Sequence, residues 1–500
     1  MMTRTAWPRW VVILLPPISA LAQFPVTPAG VGSADNPHQI SQLGHLVWMS
    51  ETVGSSSGKF YVVQNHIDAT ETASWNDGKG FVPIGSYSPF QPFNGTFNGN
   101  GKTISGLTIH CPSESFVGLI GLAGHGSEVK DLHLSGGAIT GSNHVGTIVG
   151  YNGGIVTACC AIGSVTGTNE VGGLVGDNWG TIANCHITSS WISGCVAVGG
   201  LVGKNNGTVS ESHAEAAVCG AGRVGGLVGY NPTISSVSGC YATGPVTGTS
   251  NYVGGLVGSN FGVLRRCHAT GPVSGMRAGI GGLIGYTDLD ADVSNCYATG
   301  PVMGHVSVGG LIGINNGLLH RCYATGSATG TNHVGGLVGV NNKTVSECYS
   351  AGPVTGLTAY GGLVGTNHLL GTVSNSYWDI HASGQVSSAA GAGRATAEMK
   401  RQANFAEWDF VDFWRIDEGA SYPHFSMPPR MHAPAIDHGT ALVVRWCSRS
   451  DHTYAIRYST NLLSGFSVLQ TGIVATPPIN SFTDAFNGAI MKFWTVSADE

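Results

Sequence analysis

The chain has 500 residues, a net charge of −6, only 10% charged residues and 77 glycines. So little charge beside 42% hydrophobic residues excludes a chain that is disordered over most of its length. Glycine without a three-residue period excludes collagen, and the lack of clustered Lys and Arg excludes a nucleic-acid partner.

The first 22 residues read as a secretory signal. Arg4 and Arg9 give a positive start, residues 10–15 a short apolar core, and Ala20, Leu21 and Ala22 a small-x-small cleavage site before Gln23. The core is broken by Pro16 and Pro17 and is far shorter than the ~20 residues that span a bilayer, so no membrane span is expected in the mature chain. The expected location is secreted or at the cell surface.

From 117 to 376 one phrase recurs. VGGLVGDN (171–178) returns as VGGLVGKN (198–205), VGGLVGYN (224–231), VGGLVGSN (253–260), IGGLIGYT (280–287), VGGLIGIN (308–315), VGGLVGVN (334–341) and YGGLVGTN (360–367), at spacings of 26 to 29 residues. Gly or Pro interrupts every few residues and the apolar residues between them are mainly Val and Ile, a pattern hostile to helices and suited to short strands. About three extended runs per unit, divided by turns, describe one turn of a three-sided coil, and coils stacked at ~4.8 Å align like residues. The fold class is therefore all-β: a right-handed parallel β-helix with a short N-terminal capping helix and a small C-terminal β-sandwich-like module. In VGGLVG the two Val and the Leu do not share parity. A corner at the Gly pair lets Val before it and Leu after it both face inward.

These repeats resemble the GLUG motif family of bacterial surface proteins, named for the Gly-Leu-x-Gly core. GSADNPHQISQLGHLVWM (32–49) resembles the family's opening segment, whose short helix closes the coil; Ser41 is placed to cap it, with Leu43, Leu46 and Val47 on one face. FNGTFNGNGKTISGLTI (93–109) is similar to a first full coil. NSYWDIHASGQ (375–385), TAEMKRQANF (396–405) and WDFVDFWRIDEGASYPHF (408–425) are similar to the segment after the last repeat. The expected divisions are 1–22 signal, 32–116 cap and first coils, 117–376 repeats, 377–427 C-terminal cap and 428–500 a separate β-module with strands near 441–446, 453–458, 465–469 and 491–496. The resemblance implies an adhesin-like protein. Related repeats also occur in streptococcal IgA-cleaving metallopeptidases, outside the catalytic part, and no His-Glu-x-x-His is present here.

Aligning the units produces three columns. Asn152, Asn178, Asn205, Asn231, Asn260, Asn315, Asn341 and Asn367 form one, read as a structural amide ladder at turns that tolerate a left-handed backbone. Cys159, Cys185, Cys240, Cys267, Cys296, Cys322 and Cys348 form the second, with Ser212 and Ser376 in the same place, which favours buried free thiols over bridges. Cys195 and Cys219, in adjacent coils off the column, are open to pairing. His186, His213, Tyr241, His268, Tyr297, Tyr323, Tyr349 and Tyr377 follow the second column and face outward if Cys faces inward. That row either stacks on itself or binds an extracellular glycan or surface protein, and it is the first candidate for binding.

Catalysis in a β-helix needs converging carboxylates, and between 117 and 376 only ten acids occur, mostly scattered. Asp288, Asp290 and Asp292 are the one cluster; they make calcium the only cofactor considered, with a solvated loop the plainer reading. Gly54 to Gly58 imitates a nucleophile elbow but lies in a Ser-rich loop with no following helix, and Gly101-Lys102-Thr103 after Gly95 is one residue too long for a phosphate loop and belongs to the first coil's pattern. The sequence thus describes a non-catalytic, monomeric repeat protein for adhesion or glycan binding, with a polysaccharide-degrading enzyme and a structural spacer as alternatives.

Overall fold

A computed structural model describes residues 24–425 except 189, together with six strands between 431 and 498; the signal segment 1–22 lies outside the described residues. The chain divides into two compact units, Met1–Trp408 and Asp409–Glu500. None of the described helices is long and apolar enough to cross a membrane.

The first unit is a parallel β-solenoid of about 13 turns. A typical turn passes through five short extended segments grouped on three sides. In one turn they are Thr181–Ala183, His186–Ile187, Trp191–Ser193, Val196–Gly199 and Val202–Asn205. The first three pair into a 32-stranded sheet, the fourth into a nine-stranded and the fifth into a ten-stranded sheet, so three sheets enclose the core. Pairing between coils is parallel and matches like with like: Val175, Val202, Val228 and Val257 follow one another in register, as do Val171, Val198, Val224 and Val253.

The Gly pair is a corner, as the parity argument requires. Gly222–Gly225 belongs to the nine-stranded sheet and Val228–Asn231 to the ten-stranded one, with Gly226 and Leu227 bending between them. Val224, Leu227 and Val228 are all fully buried. The bend is tight enough that a Cβ on Gly225 would overlap Val228 O, and one on Gly226 would overlap Gly255 O of the next coil. Glycine is therefore required here for close approach of backbones, not for a left-handed φ.

Both ends of the core are closed. At the N-terminal end a helix spans Leu43–Thr52 and buries Leu43, Leu46, Val47 and Met49. Its cap is Gln42, not Ser41: the Ser41 backbone N–H donates to His45 Nδ1 at 3.1 Å, so the helix side chain reaches back instead of Ser41 reaching forward. At the other end Trp378 joins the core and a short helix, Ile380–Ser383, starts at Asp379, whose carboxylate accepts from the His381 and Ala382 N–H groups.

In the second unit, Trp414–Arg415 pairs with His424–Phe425, so residues 409–425 group with the tail and the cap of the solenoid ends near Trp408. The tail holds two antiparallel sheets of three strands. Met431–Asp437 and Ile479–Ala485 flank Ala441–Cys447, and Ser467–Val474 and Phe493–Ala498 flank Thr453–Ser459. Two of the expected strands, 441–446 and 453–458, fall within observed ones, and 465–469 and 491–496 overlap two others. Met431–Asp437 escapes a pattern reading because Pro434 interrupts it, and its pairing shifts register between His432 and Ala435.

The corner gives a direct test. Gly226→Ala forces a methyl against Gly255 O and should lower stability by about 1–3 kcal/mol, read as a shift of the urea midpoint. An unshifted midpoint would show that the coils are free to separate there.

Candidate functional site

The Asn column is an amide ladder inside the coil. Nδ2 of Asn152, Asn178, Asn205, Asn231, Asn315 and Asn341 donates to Oδ1 of the next Asn at 2.7–2.9 Å. Thr287 takes the Asn place in one coil and donates its hydroxyl to Asn315 Oδ1 at 2.9 Å. The same amides close the adjoining turn: Gly154 N–H donates to Asn152 Oδ1, and Asn260 Nδ2 donates to Gly262 O. None of the ladder Asn has a left-handed backbone, contrary to the expectation. Left-handed residues form two other columns. One precedes the Cys column (Ala158, Asn184, Glu211, Arg266, Asn295, Arg321, Glu347, Asn375), and the other precedes the corner Val (Phe116, His144, Glu170, Ala197, Arg223, Tyr252, Ser307, His333).

The Cys column is buried and its thiols are unpaired. Each thiol donates to the carbonyl two residues back, as Cys240 does to Ser238 O at 3.2 Å. Cys185, Cys240, Cys267, Cys296 and Cys348 also accept the backbone N–H of the equivalent residue one coil earlier, as Cys267 does from Cys240 at 3.4 Å. Ser212 and Ser376 make the same two bonds, which is why serine fits. Burial pushes the thiols of Cys240, Cys267 and Cys322 well above their ordinary range. Cys195 and Cys219 are also unpaired.

The aromatic column is stacked on itself. From His186 through His213, Tyr241, His268, Tyr297 and Tyr323 to Tyr349, ring centroids are 4.5–5.1 Å apart and planes lie within 10° of parallel. The outward reading fails at the C-terminal end. Tyr349 and Tyr377 are buried, because Trp408 packs beside both rings and Phe405 meets Tyr377 edge-on at 5.4 Å. The remaining rings are half-buried with their faces covered by neighbours.

The three Asp do not converge. Asp292 Oδ2 is drawn to Arg265 Nη2 at 2.8 Å with His320 Nδ1 3.7 Å from Oδ1, Asp288 meets the Tyr286 hydroxyl at 3.5 Å, and Asp290 is exposed in the turn between them. Among the described residues the one grouping with metal-ligand geometry lies elsewhere, at His144, Glu170 and Asp177.

That grouping borders a cleft of about 380 Å³ lined by Tyr87, Phe90, Phe116, His125, His144, Tyr151, Asp177 and Trp179 among others. Two outward columns and the turn after the Asn ladder build it. Phe116, His144 and Glu170 occupy the left-handed position before the corner Val in successive coils. Leu122, Tyr151, Asp177, Lys204 and Tyr230 follow one another in register on the outside of the ten-stranded sheet. Trp179 and Asn206 each follow a ladder Asn. Tyr87 stacks on Phe116 at 4.8 Å, Phe116 on His144 at 4.6 Å, and Tyr151 faces Trp179 at 6.5 Å. Tyr87, Phe90 and Trp179 are 59%, 69% and 47% exposed, so this cleft presents ring surface that the stacked column does not.

Its polar groups are fixed. Asp177 is 3% exposed and accepts from Trp179 Nε1 at 3.1 Å and from Asn206 Nδ2 at 2.8 Å. Burial raises its carboxyl above the usual range, against the pull of Lys204 and Trp179. Glu170 is held below that range by the His144 ring 2.8 Å away, with Lys204 at 3.6 Å adding to the effect. Further along the same face lies a second ring group: Arg223 over Tyr230 at 4.6 Å, Tyr230 beside Phe261 at 5.3 Å, and Tyr252 beside Tyr286 at 4.7 Å. The legible signal was variation. The residues before the eight ladder Asn are Tyr, Asp, Lys, Tyr, Ser, Ile, Val and Thr in a repeat otherwise nearly constant, and a variable outward position in a constant coil marks the outer face.

Comparison with known proteins follows the same repeats. The family model described as the GLUG motif matches residues 220–247, 249–274 and 277–302. The chain is 35% identical over 128 residues, 25% of its length, to "Halomucin" of Haloquadratum walsbyi. It is 35% identical over 139 residues, 27% of its length, to a "Putative Gly-rich membrane protein" of Evansella cellulosilytica. It covers only 1% and 15% of those two proteins. A crystal structure described as a "putative immunoglobulin A1 protease" from Bacteroides ovatus aligns over 82% of this chain and 97% of that one, at 15% identity and a TM-score of 0.36, which is too low to support any argument.

The two bonds of the Cys240 thiol set an expectation. Cys240→Ser keeps both and should change stability little, whereas Cys240→Val strands the Ser212 N–H and Ser238 O in the core and should cost about 1–3 kcal/mol. Denaturant titration of the two variants separates them; equal losses would mean that the column is only a space-filler.

Proposed function

We propose that this chain, a β-solenoid carrying GLUG-motif repeats, is a non-catalytic extracellular or cell-surface protein that binds glycan on one face of the solenoid. One observation carries the reading: the exposed rings of Tyr87, Phe90 and Trp179, with the half-buried Tyr151, around a cleft whose floor holds the anchored Asp177. Flat apolar faces suit the C–H faces of sugar rings, while a few fixed polar groups orient hydroxyls. A saccharide running along the axis meets a new coil every ~4.8 Å, so the ring groups at Tyr151–Trp179 and Tyr230–Tyr286 can serve one extended chain. The printed names of the relatives, a mucin-type name and a membrane-protein name, fit a protein presented outside the cell.

The column from His186 to Tyr377 enters this reading as a stiffener, because its ring faces are already occupied. Secretion as a monomer after removal of residues 1–22 belongs to the same proposal.

A glycan array probed with the soluble chain tests it. Binding should fall about tenfold, roughly 1.4 kcal/mol, in Trp179→Ala and in Tyr151→Ala, and stay unchanged in Tyr297→Ala. An array without any bound glycan would leave a spacer. Release of reducing sugars that is lost in Asp177→Asn would make the protein an enzyme instead.

A further inference from the structure

We propose that His144, Glu170 and Asp177 form a binding site for a divalent transition-metal cation of the zinc class, a site that stands whether or not the cleft takes glycan. Their donor atoms all lie within 4.8 Å of one another. His144 Nδ1 is 2.8 Å from Glu170 Oε2 and 3.7 Å from Asp177 Oδ2. A cation bound at ~2.0–2.2 Å to each donor needs donor pairs roughly 3–3.5 Å apart; the two His144 distances bracket that span, so rotation of the two carboxylates would enclose one.

The coil architecture produces this convergence. His144 and Glu170 hold the same left-handed position in neighbouring coils, between the registered pairs Asn143–Asn169 and Val145–Val171, so one side chain stands directly beside the other. Asp177 comes from the adjacent sheet, seven residues on, and turns toward both.

Each donor is also held from behind. Asp177 Oδ2 faces His144 while accepting from Trp179 Nε1, and Asp177 Oδ1 accepts from Asn206. Glu170 turns Oε1 to Lys204 and Oε2 to His144. The His144 ring is stacked on Phe116 at 4.6 Å. Such outer partners orient ligands and sharpen affinity. Two carboxylates, one imidazole and one nearby ammonium sum to −1, which a divalent cation turns to +1. The mixed nitrogen and oxygen set favours zinc-class ions; calcium takes six to eight oxygens and magnesium keeps most of its waters. Three protein donors leave a fourth position open, and His144 and Asp177 line the cleft, so that position faces it.

Isothermal titration of the full chain with Zn²⁺ alone, in the absence of glycan, tests the site. The expected result is one ion per chain, not displaced by Ca²⁺ or Mg²⁺, with binding lost in His144→Gln and in Asp177→Asn. Trp179→Phe, which keeps the ring and removes the donor to Asp177, should weaken it about tenfold. Co²⁺ substitution should give weak visible bands without intense thiolate charge transfer. No stoichiometric binding, equal affinity in all three variants, or a thiolate signature would overturn the proposal.

Discussion

Everything in the solenoid depends on one constraint: each residue sits one coil from its own counterpart. Backbone hydrogen bonds set the interval, and the side chains then have to tolerate a copy of themselves at ~4.8 Å. Val, Leu, Asn, Cys and Ser meet that condition inside, where aliphatic groups pack and amides, thiols and hydroxyls pass a hydrogen bond along the column. Like charges do not meet it, and the 10% charged content of the chain follows. The coil must also turn corners within that interval, and in the repeats from 171 to 367 a Gly pair does so where an added Cβ would meet neighbouring backbone.

The same constraint separates the constant columns from the informative ones. Inward positions repeat because any departure is felt by two neighbours. Outward positions are released from this, and there the chain writes differences: Tyr151, Asp177, Lys204 and Tyr230 occupy one register column with three chemistries. The left-handed column beside it holds His144, Glu170, Ala197 and Arg223. Where two such columns run side by side, unlike groups from neighbouring coils are brought within bonding distance, which no single repeat could achieve. The cleft and the His144–Glu170–Asp177 group both arise in this way.

Much of the fold was legible because repetition amplifies it. Eight copies of one phrase fix the period, the parity of VGGLVG fixes the corner, and Ser in the Cys column points to small buried groups rather than bridges. The rest depended on distances across coils. The stacked rings of the third column were visible as a row, but the packing of Phe405 and Trp408 over Tyr377 comes from residues about thirty positions away. The cap at Gln42 rather than Ser41 turns on the reach of His45, and the left-handed residues lie beside the Cys and corner Val rather than at the Asn, because the amide ladder already closes its own turn. The cleft combines positions from different coils and different sheets, whereas along the chain only groups adjacent in sequence, such as Asp288, Asp290 and Asp292, stand out as clusters.

The register itself can be measured. Thr181 and Thr344 belong to one outward column running through Thr208, Ser236, Val263, Asp292 and Leu318. Spin labels placed at these two positions, with Cys111, Cys160, Cys195, Cys219 and Cys447 replaced by Ser, stand six coils apart. Double electron–electron resonance should return a narrow distance near 29 Å, six intervals of ~4.8 Å. A broad distribution, or one centred far from that value, would contradict a single coil in which every repeat lies over the last.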